Sequence, residues 1–349
     1  MRRKRPAILA YDKAAATGDA AAGDVFAQLD AIETALSAAG WDAERAAVTL
    51  DLEAARDEIR GAGVVFNLVE SLDGVDRLQT AFVMALEEWG IPFTGTGSAA
   101  MFLSNDKLLS KRLLAHNGLP VADCCRLDAR GEAVWFPDSA AADGRPDRWI
   151  VKPVAAHASL GITDASVVAA TGTEDIPGAI RNARIRCGTD CFAERYIDGR
   201  EFNLSLIEAG GGARVLPPAE LVFRDYPDGK PRIAGYAAKW DENSGEYAKT
   251  VRSFTAAENE PELADALGRL ARRTWDAFDL SGYARVDFRV DRDGRPWILE
   301  VNANPCLAPD AGFAAAAERE GWDFPELCNL LVAAALDRRL LTEVLQSGD

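Results

Sequence analysis

The sequence predicts an α/β protein of two or three lobes that opens with a parallel α/β unit. Three observations lead there. Over the first hundred residues, short apolar runs alternate with helical periodicities, the pattern of a parallel sheet. The chain has 349 residues, and a domain commonly holds roughly 150. Toward the C-terminus, two alternating segments flank Asp291 to Gly294 (DRDG), a hairpin signal. The 48% hydrophobic and 27% charged residues exclude disordered and fibrous classes.

Each element has its own reason. Pro6 to Tyr11 (PAILAY) is a short apolar run that reads as a buried strand. Ala14 to Gly23 is rich in small residues and reads as a loop. Asp24 then caps a helix carrying Phe26, Leu29, Ile32 and Leu36, and Gly40 ends it. Val64 to Val69 (VVFNLV) is a second buried strand. Leu78, Phe82 and Leu86 place a helix over 78–88, and Ile91 to Gly95 lead out of it. Leu109, Leu113 and Leu114 lie on one face of a helix over 106–117, stopped by Gly118 to Pro120. Residues 129–147, rich in Ala, Gly, Pro and Asp, read as a surface loop. Trp149 to Val154 and Cys191 to Ile197 read as strands. Leu263, Leu267, Leu270 and Phe278 mark a helix ending near Asp279. The hairpin strands run from Tyr283 to Val290 and from Pro296 to Val301. A last helix spans 324–345. There is no internal repeat.

Charge and composition narrow the function. Lys plus Arg number 39 against 55 Asp plus Glu, a net charge of −16. Such a surface repels phosphate backbones, so no nucleic-acid partner is expected, although a local cationic site for a nucleotide remains open. No apolar run approaches the roughly 20 residues a bilayer requires, so no membrane partner is expected. Arg2 to Arg5 look like a signal-peptide n-region, but the apolar stretch behind them, Ala7 to Ala10, is too short. They read as a solvated tail on a cytoplasmic protein. Six cysteines without a Cys-x-x-Cys motif fit reduced thiols. Two histidines argue against a His-based zinc site or catalytic triad. No Gly-x-Gly-x-x-Gly follows the first strand, which argues against a dehydrogenase.

The hairpin carries the most chemistry. Arg285, Asp287 and Arg289 share one face, and Val286, Phe288 and Val290 the other. On the second strand, Trp297, Leu299 and Val301 face one way, and Ile298, Glu300 and Asn302 the other. A turn centred on Asp293 and Gly294 sets Asp287 opposite Glu300. Facing carboxylates repel unless a cation intervenes. Two carboxylates and an amide oxygen suit Mg²⁺; Arg285 on the same face is the metal-free alternative.

Three weaker signals accompany it. Lys152 interrupts an apolar strand ahead of the small-residue loop Ala155 to Gly161. It reads as a phosphate ligand or as a lysine snorkelling from a strand end. Lys107 follows Asp106 at a helix start, where the macrodipole disfavours a cation unless an anion is near; it reads as an anion ligand or as an ordinary exposed lysine. Glu194 to Glu201 (ERYIDGRE) leaves a strand through Gly199, with backbone for an adenine and a carboxylate for a ribose.

Taken in order, these segments resemble the ATP-grasp superfamily, and within it the D-alanine–D-alanine ligase branch, over almost the whole chain. The resemblance implies a three-lobed ATP-grasp fold with a parallel α/β lobe at 1–104, a central lobe at 105–193 and a C-terminal lobe with the metal site at 194–349. It implies ATP, with Lys107, Lys152, Ser159, Glu194, Arg195, Ile197, Glu201 and Lys239 as its ligands. It implies two Mg²⁺ ions, or Mn²⁺, on Asp287, Glu300 and Asn302, and Arg285 as the catalytic arginine. A carboxylate attacks the γ-phosphate to give an acyl phosphate and ADP, and an amine then displaces phosphate. The polar stretch Asp241 to Lys249 reads as a closing lid or as a plain surface loop.

The match departs where a D-alanine ligase holds its substrates. The first loop, from Tyr11 to Gly18, lacks the family's glutamate. Ala158 precedes Ser159 where the family has two serines, and Trp240 replaces a tyrosine after Lys239. Asn302-Ala303-Asn304-Pro305-Cys306 stands for Asn-x-x-Pro-Gly. Ala311, beside Asp310, stands near the position of the serine that binds the second substrate's carboxylate. Glu70 follows the buried strand where the family has a His-Gly pair, and reads as a substrate-ammonium ligand or a solvated strand end. The expected substrate residues are Glu70, Trp240, Asn304, Cys306 and Asp310; the Cys306 thiol itself reads as buried packing. The expected function is an ATP-dependent carboxylate–amine ligase forming an amide or dipeptide from amino-acid-like substrates other than two D-alanines, with a homodimer allowed. The alternatives are a D-alanine–D-alanine ligase with diverged motifs and a non-ligase kinase or nucleotide-binding protein.

Overall fold

The computed structural model describes residues 6–17, 20–136, 147–155, 159, 161–170 and 175–347. The expected Arg2–Arg5 tail, Ala158 and residues 137–146 of the expected surface loop lie outside them.

The N-terminal elements are β1 (Ala7–Asp12), α1 (Ala20–Ala38), β2 (Ala43–Val48), α2 (Leu52–Glu58), β3 (Val64–Asn67), α3 (Gln79–Glu88) and α4 (Ser98–Asn105). The three strands form a parallel sheet in the order β2-β1-β3. Alternate residues of β1 and β3 enter different cores. Ile8, Ala10 and Val65 join one core; Ala7, Leu9, Val64 and Phe66 join the other, with Leu29, Ile32 and Leu36 of α1. Burial on both faces explains why these strands read as continuous apolar runs. Two expectations change here. The small-residue loop contains a 3-10 turn (Lys13–Thr17), and the helix begins at Ala20, so Asp24 lies inside it rather than capping it.

Next come α5 (Lys107–His116), β4 (Cys124–Leu127), β5 (Ala133–Phe136), β6 (Asp147–Pro153), β7 (Val167–Ala170), α6 (Asp175–Cys187) and β8 (Cys191–Arg195). Asp106 caps α5, accepting from the Leu108 and Leu109 N–H groups at 2.9 Å each. The sheet is antiparallel in the order β5-β4-β8-β6-β7 and has its own small core under α6. Strand β5 lies inside the stretch expected to be surface loop. Its Trp135 stacks edge-on against Trp149 at 5.5 Å, an apolar contact that composition alone concealed.

The remainder comprises β9 (Gly199–Ala209), β10 (Gly212–Val215), β11 (Ala219–Phe223), α7 (Tyr236–Trp240), α8 (Gly245–Lys249), β12 (Thr250–Ser253), α9 (Thr255–Asn259), α10 (Pro261–Phe278), β13 (Tyr283–Asp291), β14 (Pro296–Asn302), α11 (Gly312–Glu320) and α12 (Phe324–Ser347). The sheet order is β12-β11-β9-β13-β14, with β10 on β9. Phe202, Leu204 and Leu206 of β9 and Val286 and Phe288 of β13 share a core with the N-terminal elements. The expected lid is not plain loop: Ser244 caps the one-turn helix α8 within it.

The hairpin corrects one sequence inference and upholds another. Val290 pairs with Pro296 and Phe288 with Ile298, one residue out of the expected register. A bulge at Leu299 then restores it, so Asp287 pairs with Glu300 and Arg285 with Asn302. The extra residue breaks the expected alternation. Ile298 joins Val301 in the core rather than siding with Glu300 and Asn302.

Candidate active site

A cavity of ≈ 500 Å³ opens between these sheets and continues into a slot of ≈ 90 Å³. Lys107, Asn302, Arg285, Glu70, Trp240, Asn304, Cys306 and Asp310 line the cavity. Lys152, Glu194, Arg195 and Ile197 line the slot. Ser159, Glu201, Lys239, Asp287 and Glu300 line both. The residues singled out from sequence therefore gather around one continuous void.

At the junction, Arg285 grips Asp287 with two bonds, Nε to Oδ1 at 2.7 Å and Nη2 to Oδ2 at 2.9 Å. Asn203 of β9 donates to the same Oδ1 at 2.8 Å. Lys107 reaches Glu300 at 2.9 Å, which supplies the anion its helix-start position demanded. Desolvation opposes the charge on Arg285, yet Asp287 and Glu300 raise its pKa. Each facing carboxylate thus has its own cation, so the metal-free arrangement is present. The donor set of Asp287, Glu300 and Asn302 also fits a hard divalent cation. Among the described residues no three His, Cys, Asp or Glu side chains cluster to hold a metal, so a site here needs the Asn302 amide.

Lys152 does not snorkel to solvent from its strand. Its ammonium and that of Lys111 (2.5 Å) both contact Glu194, and all three side chains are buried. Burial raises the Glu194 pKa, but the two lysines outweigh it and hold the carboxyl below its ordinary range. Sequence reading missed Lys111. The signal was available: Lys107 and Lys111 are one turn apart, and with Ser110 and Leu114 they form the buried face of α5. It also missed Arg289, which is buried and holds Glu201 at 3.1 Å. Arg289 also donates to the carbonyls of Gly199 (3.0 Å) and Arg232. The 194–201 stretch is not one continuous strand: β8 lies between β4 and β6 and ends at Arg195, residues 196–198 connect, and β9 begins at Gly199.

Ser159 adopts a left-handed conformation (φ 58°) and donates to the Ala234 carbonyl at 2.9 Å, which holds the small-residue loop against the segment before α7. Lys239 lines the cavity with an exposed side chain. Desolvation and Arg285 lower its pKa against the pull of Asp287, Glu300 and Glu201.

The end of the cavity lined by Asp24, Glu70 and Asp310 is acidic. Asp12 accepts from Ser71 Oγ (2.5 Å) and from the Asp73 and Gly74 N–H groups, fixing the loop that follows Glu70. Buried Gln28 bonds Glu70 and donates to Asp24 at 3.4 Å, so one amide bridges two carboxylates. Burial raises the Glu70 pKa to about 7, and Asp24 and Asp76 add to it. Glu70 is thus a cavity-wall group, not a solvated strand end. The Cys306 thiol is not inert packing: it donates to Asp24 at 3.0 Å, and burial followed by Asp24 raises its pKa far above the ordinary range. Asp24 thereby places a carboxylate at this end of the cavity, where the first loop carries Asp12 but no glutamate. Asn304 accepts from the Tyr283 hydroxyl at 2.9 Å and donates to the Val69 carbonyl at 3.1 Å, tying β13 to the N-terminal lobe.

Comparison with known proteins agrees with this geometry. A family model described as D-ala D-ala ligase C-terminus matches residues 113–333. The D-alanine–D-alanine ligase of Bordetella pertussis is 32% identical over 251 residues, 72% of this chain and 72% of its own length. The D-alanyl-alanine synthetase A of Vibrio cholerae superposes with a TM-score of 0.71 at 19% identity, covering 96% of this chain and 99% of that one. The Bacillus anthracis D-alanine–D-alanine ligase complexed with ATP gives 0.68 at 18%, covering 97% and 99%. With the ATP-grasp arrangement of sheets and this extent of sequence identity, the chain belongs to the D-alanine–D-alanine ligase family of ADP-forming C–N ligases.

Proposed function

We propose that this ligase joins an amino-acid carboxylate to an amine through an acyl phosphate, with at least one substrate larger than alanine. The observation that carries the reading is the pair of cross-strand carboxylates, Asp287 and Glu300, each held by a cation where slot and cavity meet. In this reading the slot takes the adenine beside Glu194, Arg195 and Ile197, and Glu201 takes the ribose. Lys107, Lys152, Lys239 and Ser159 meet the phosphates, whose charge explains so many lysines around one void. Asp287, Glu300 and Asn302 would hold Mg²⁺, which shields phosphate charge and acts as a Lewis acid. Arg285 stabilises the oxyanion that develops when the amine attacks. The lid containing α8 excludes water that would hydrolyse the acyl phosphate.

The acidic end supports an ammonium between Asp24 and Glu70, and Trp240 supports an apolar or aromatic body. D-alanine, the substrate named for the relatives, is the second reading, favoured by the identity to those enzymes. ADP release across a panel of L- and D-amino acids, alone and in pairs, with mass spectrometry of the products, separates the two. Efficient D-alanyl-D-alanine synthesis from D-alanine alone selects the second reading. ADP release with no pair rejects both.

A further inference from the structure

Arg252, in β12, lines the large cavity but not the slot. Its Nη1 and Nη2 donate to the Asp310 carbonyl at 3.2 and 3.3 Å. Among the described residues it forms no ion pair. A guanidinium has five N–H donors in a planar fork, and here two of them converge on one carbonyl oxygen. The Arg252 side chain is exposed, open to the cavity; partial desolvation and Arg285 lower its pKa, against Asp310 and Cys306. The first turn of α11 meets it there. A Cβ on Gly312 would lie 3.7 Å from Arg252 Nε, and Ala311 and Gly312 line the same cavity. Ala311 caps α11 without any side-chain hydrogen bond, as an alanine must. An arginine fork beside an uncapped helix start suits a planar anion.

We propose that Arg252 binds the carboxylate of the amine-bearing substrate, which makes the acceptor an amino acid or a peptide rather than a simple amine. This rests on the ligase reading above. Arg252 restores the carboxylate partner that Ala311, lacking a hydroxyl, does not supply. The phosphates are placed elsewhere, among Lys107, Lys152 and Lys239, which leaves this corner for the other anion of the reaction.

The test compares three acceptors on the full-length enzyme: an amino acid that the panel shows to be used, its primary carboxamide, and hydroxylamine. Hydroxylamine has no carboxylate, and it traps an acyl phosphate as a hydroxamate with release of phosphate. Arg252→Ala is expected to raise the acceptor KM by about tenfold or more, the scale of a lost charge-assisted hydrogen bond, with a smaller change in kcat. The carboxamide should bind the parent enzyme comparably weakly and lose little further in the variant. Arg252→Lys should recover part of the loss. The hydroxylamine reaction should suffer less than the amino-acid reaction. An unchanged acceptor KM in Arg252→Ala, a carboxamide equal to its amino acid, or a loss confined to the KM for ATP would each overturn the assignment while hydroxamate formation upholds the ligase. Absence of hydroxamate with every acid tested rejects the ligase reading, and the assignment with it.

Discussion

The two ends of the cavity treat charge in opposite ways. Around the slot and its junction, the buried charges come in pairs: Lys111 and Lys152 on Glu194, Lys107 on Glu300, Arg285 on Asp287 and Arg289 on Glu201. At the far end, Asp24 and Glu70 repel each other across Gln28, and Arg252 contacts a carbonyl rather than an acid. A paired buried charge is part of the fold, because removing one partner strands the other in a low-dielectric interior. The charges of the far end stand open to the cavity instead. Substitutions at the first end should therefore register in stability, at the junction in turnover, and at the second end in binding or pH dependence.

The comparison is sharpest at Glu194. Glu194→Gln leaves Lys111 and Lys152 buried without an acid, and should cost about 3–5 kcal/mol of stability in thermal or urea unfolding. A loss under about 1 kcal/mol would show that this charge cluster is not structural. At the junction, Glu300→Gln or Asp287→Asn keeps shape and removes charge. Turnover should fall by about 10²–10³-fold, the scale of a lost transition-state electrostatic contact, with an unaltered circular dichroism spectrum. Near-parental activity of either variant at low Mg²⁺ would remove Asp287 and Glu300 from the metal assignment.

At the acidic end the expected effect is smaller and depends on pH. Glu70 is raised from 4.5 to about 7 in the fold. The native state therefore keeps a proton that the unfolded chain has lost, and stability falls as pH rises through that interval, then levels off above it. Glu70→Gln removes the slope. The variant should exceed the parent at pH 8 by no more than about 3 kcal/mol, and the two should converge near pH 4. Parallel stability curves would mean that Glu70 is not strained. Cys306→Ser should do least, because a hydroxyl can keep the bond to Asp24. Substrate KM should change by less than about threefold, within the range of one neutral hydrogen bond.

The paired end was the legible one. Strong sequence signals arise where a charged residue interrupts an apolar pattern, as Lys152 and Asp287 do, because such a residue needs a partner wherever it is buried. Even there one partner went unread: Lys152 reads as a phosphate ligand or a snorkelling lysine, and Glu194, 42 positions on, is an acid it already contacts. The Asp287–Glu300 pairing came out right although the register beside the turn did not, because a bulge cannot be read from alternation and happens to cancel the error. Strand β9 was legible and missed; Phe202, Leu204 and Leu206 alternate cleanly into the core. At the unpaired end the departures from the family pattern point to Glu70, Cys306 and Asp310, which line the cavity, but not to Asp24 or Arg252 as their neighbours. Asp24 looks like a helix cap and Arg252 like any surface arginine, and only the tertiary fold brings them to one cavity. Arg289 borders the slot because it holds Glu201 and the Gly199 and Arg232 carbonyls together.

The Lys111–Glu194 contact has a mechanical side. The N-terminal elements share their cores with the C-terminal sheet, and α5 belongs to that body through Leu114. The sheet that carries β6 and β8 keeps a separate core under α6. The apolar contact that joins α5 to that sheet is a small cluster, Leu108 against Cys124, Val154 and Phe192, so relative motion along this seam exposes little apolar surface. Lys111 stands on one side and Glu194 on the other, so this ion pair is a hinge pin: the two halves can tilt about it, but drawing them apart separates buried opposite charges. Opening would then swing the jaw that carries Lys152 while leaving Asp24, Glu70 and Arg252 in register with one another.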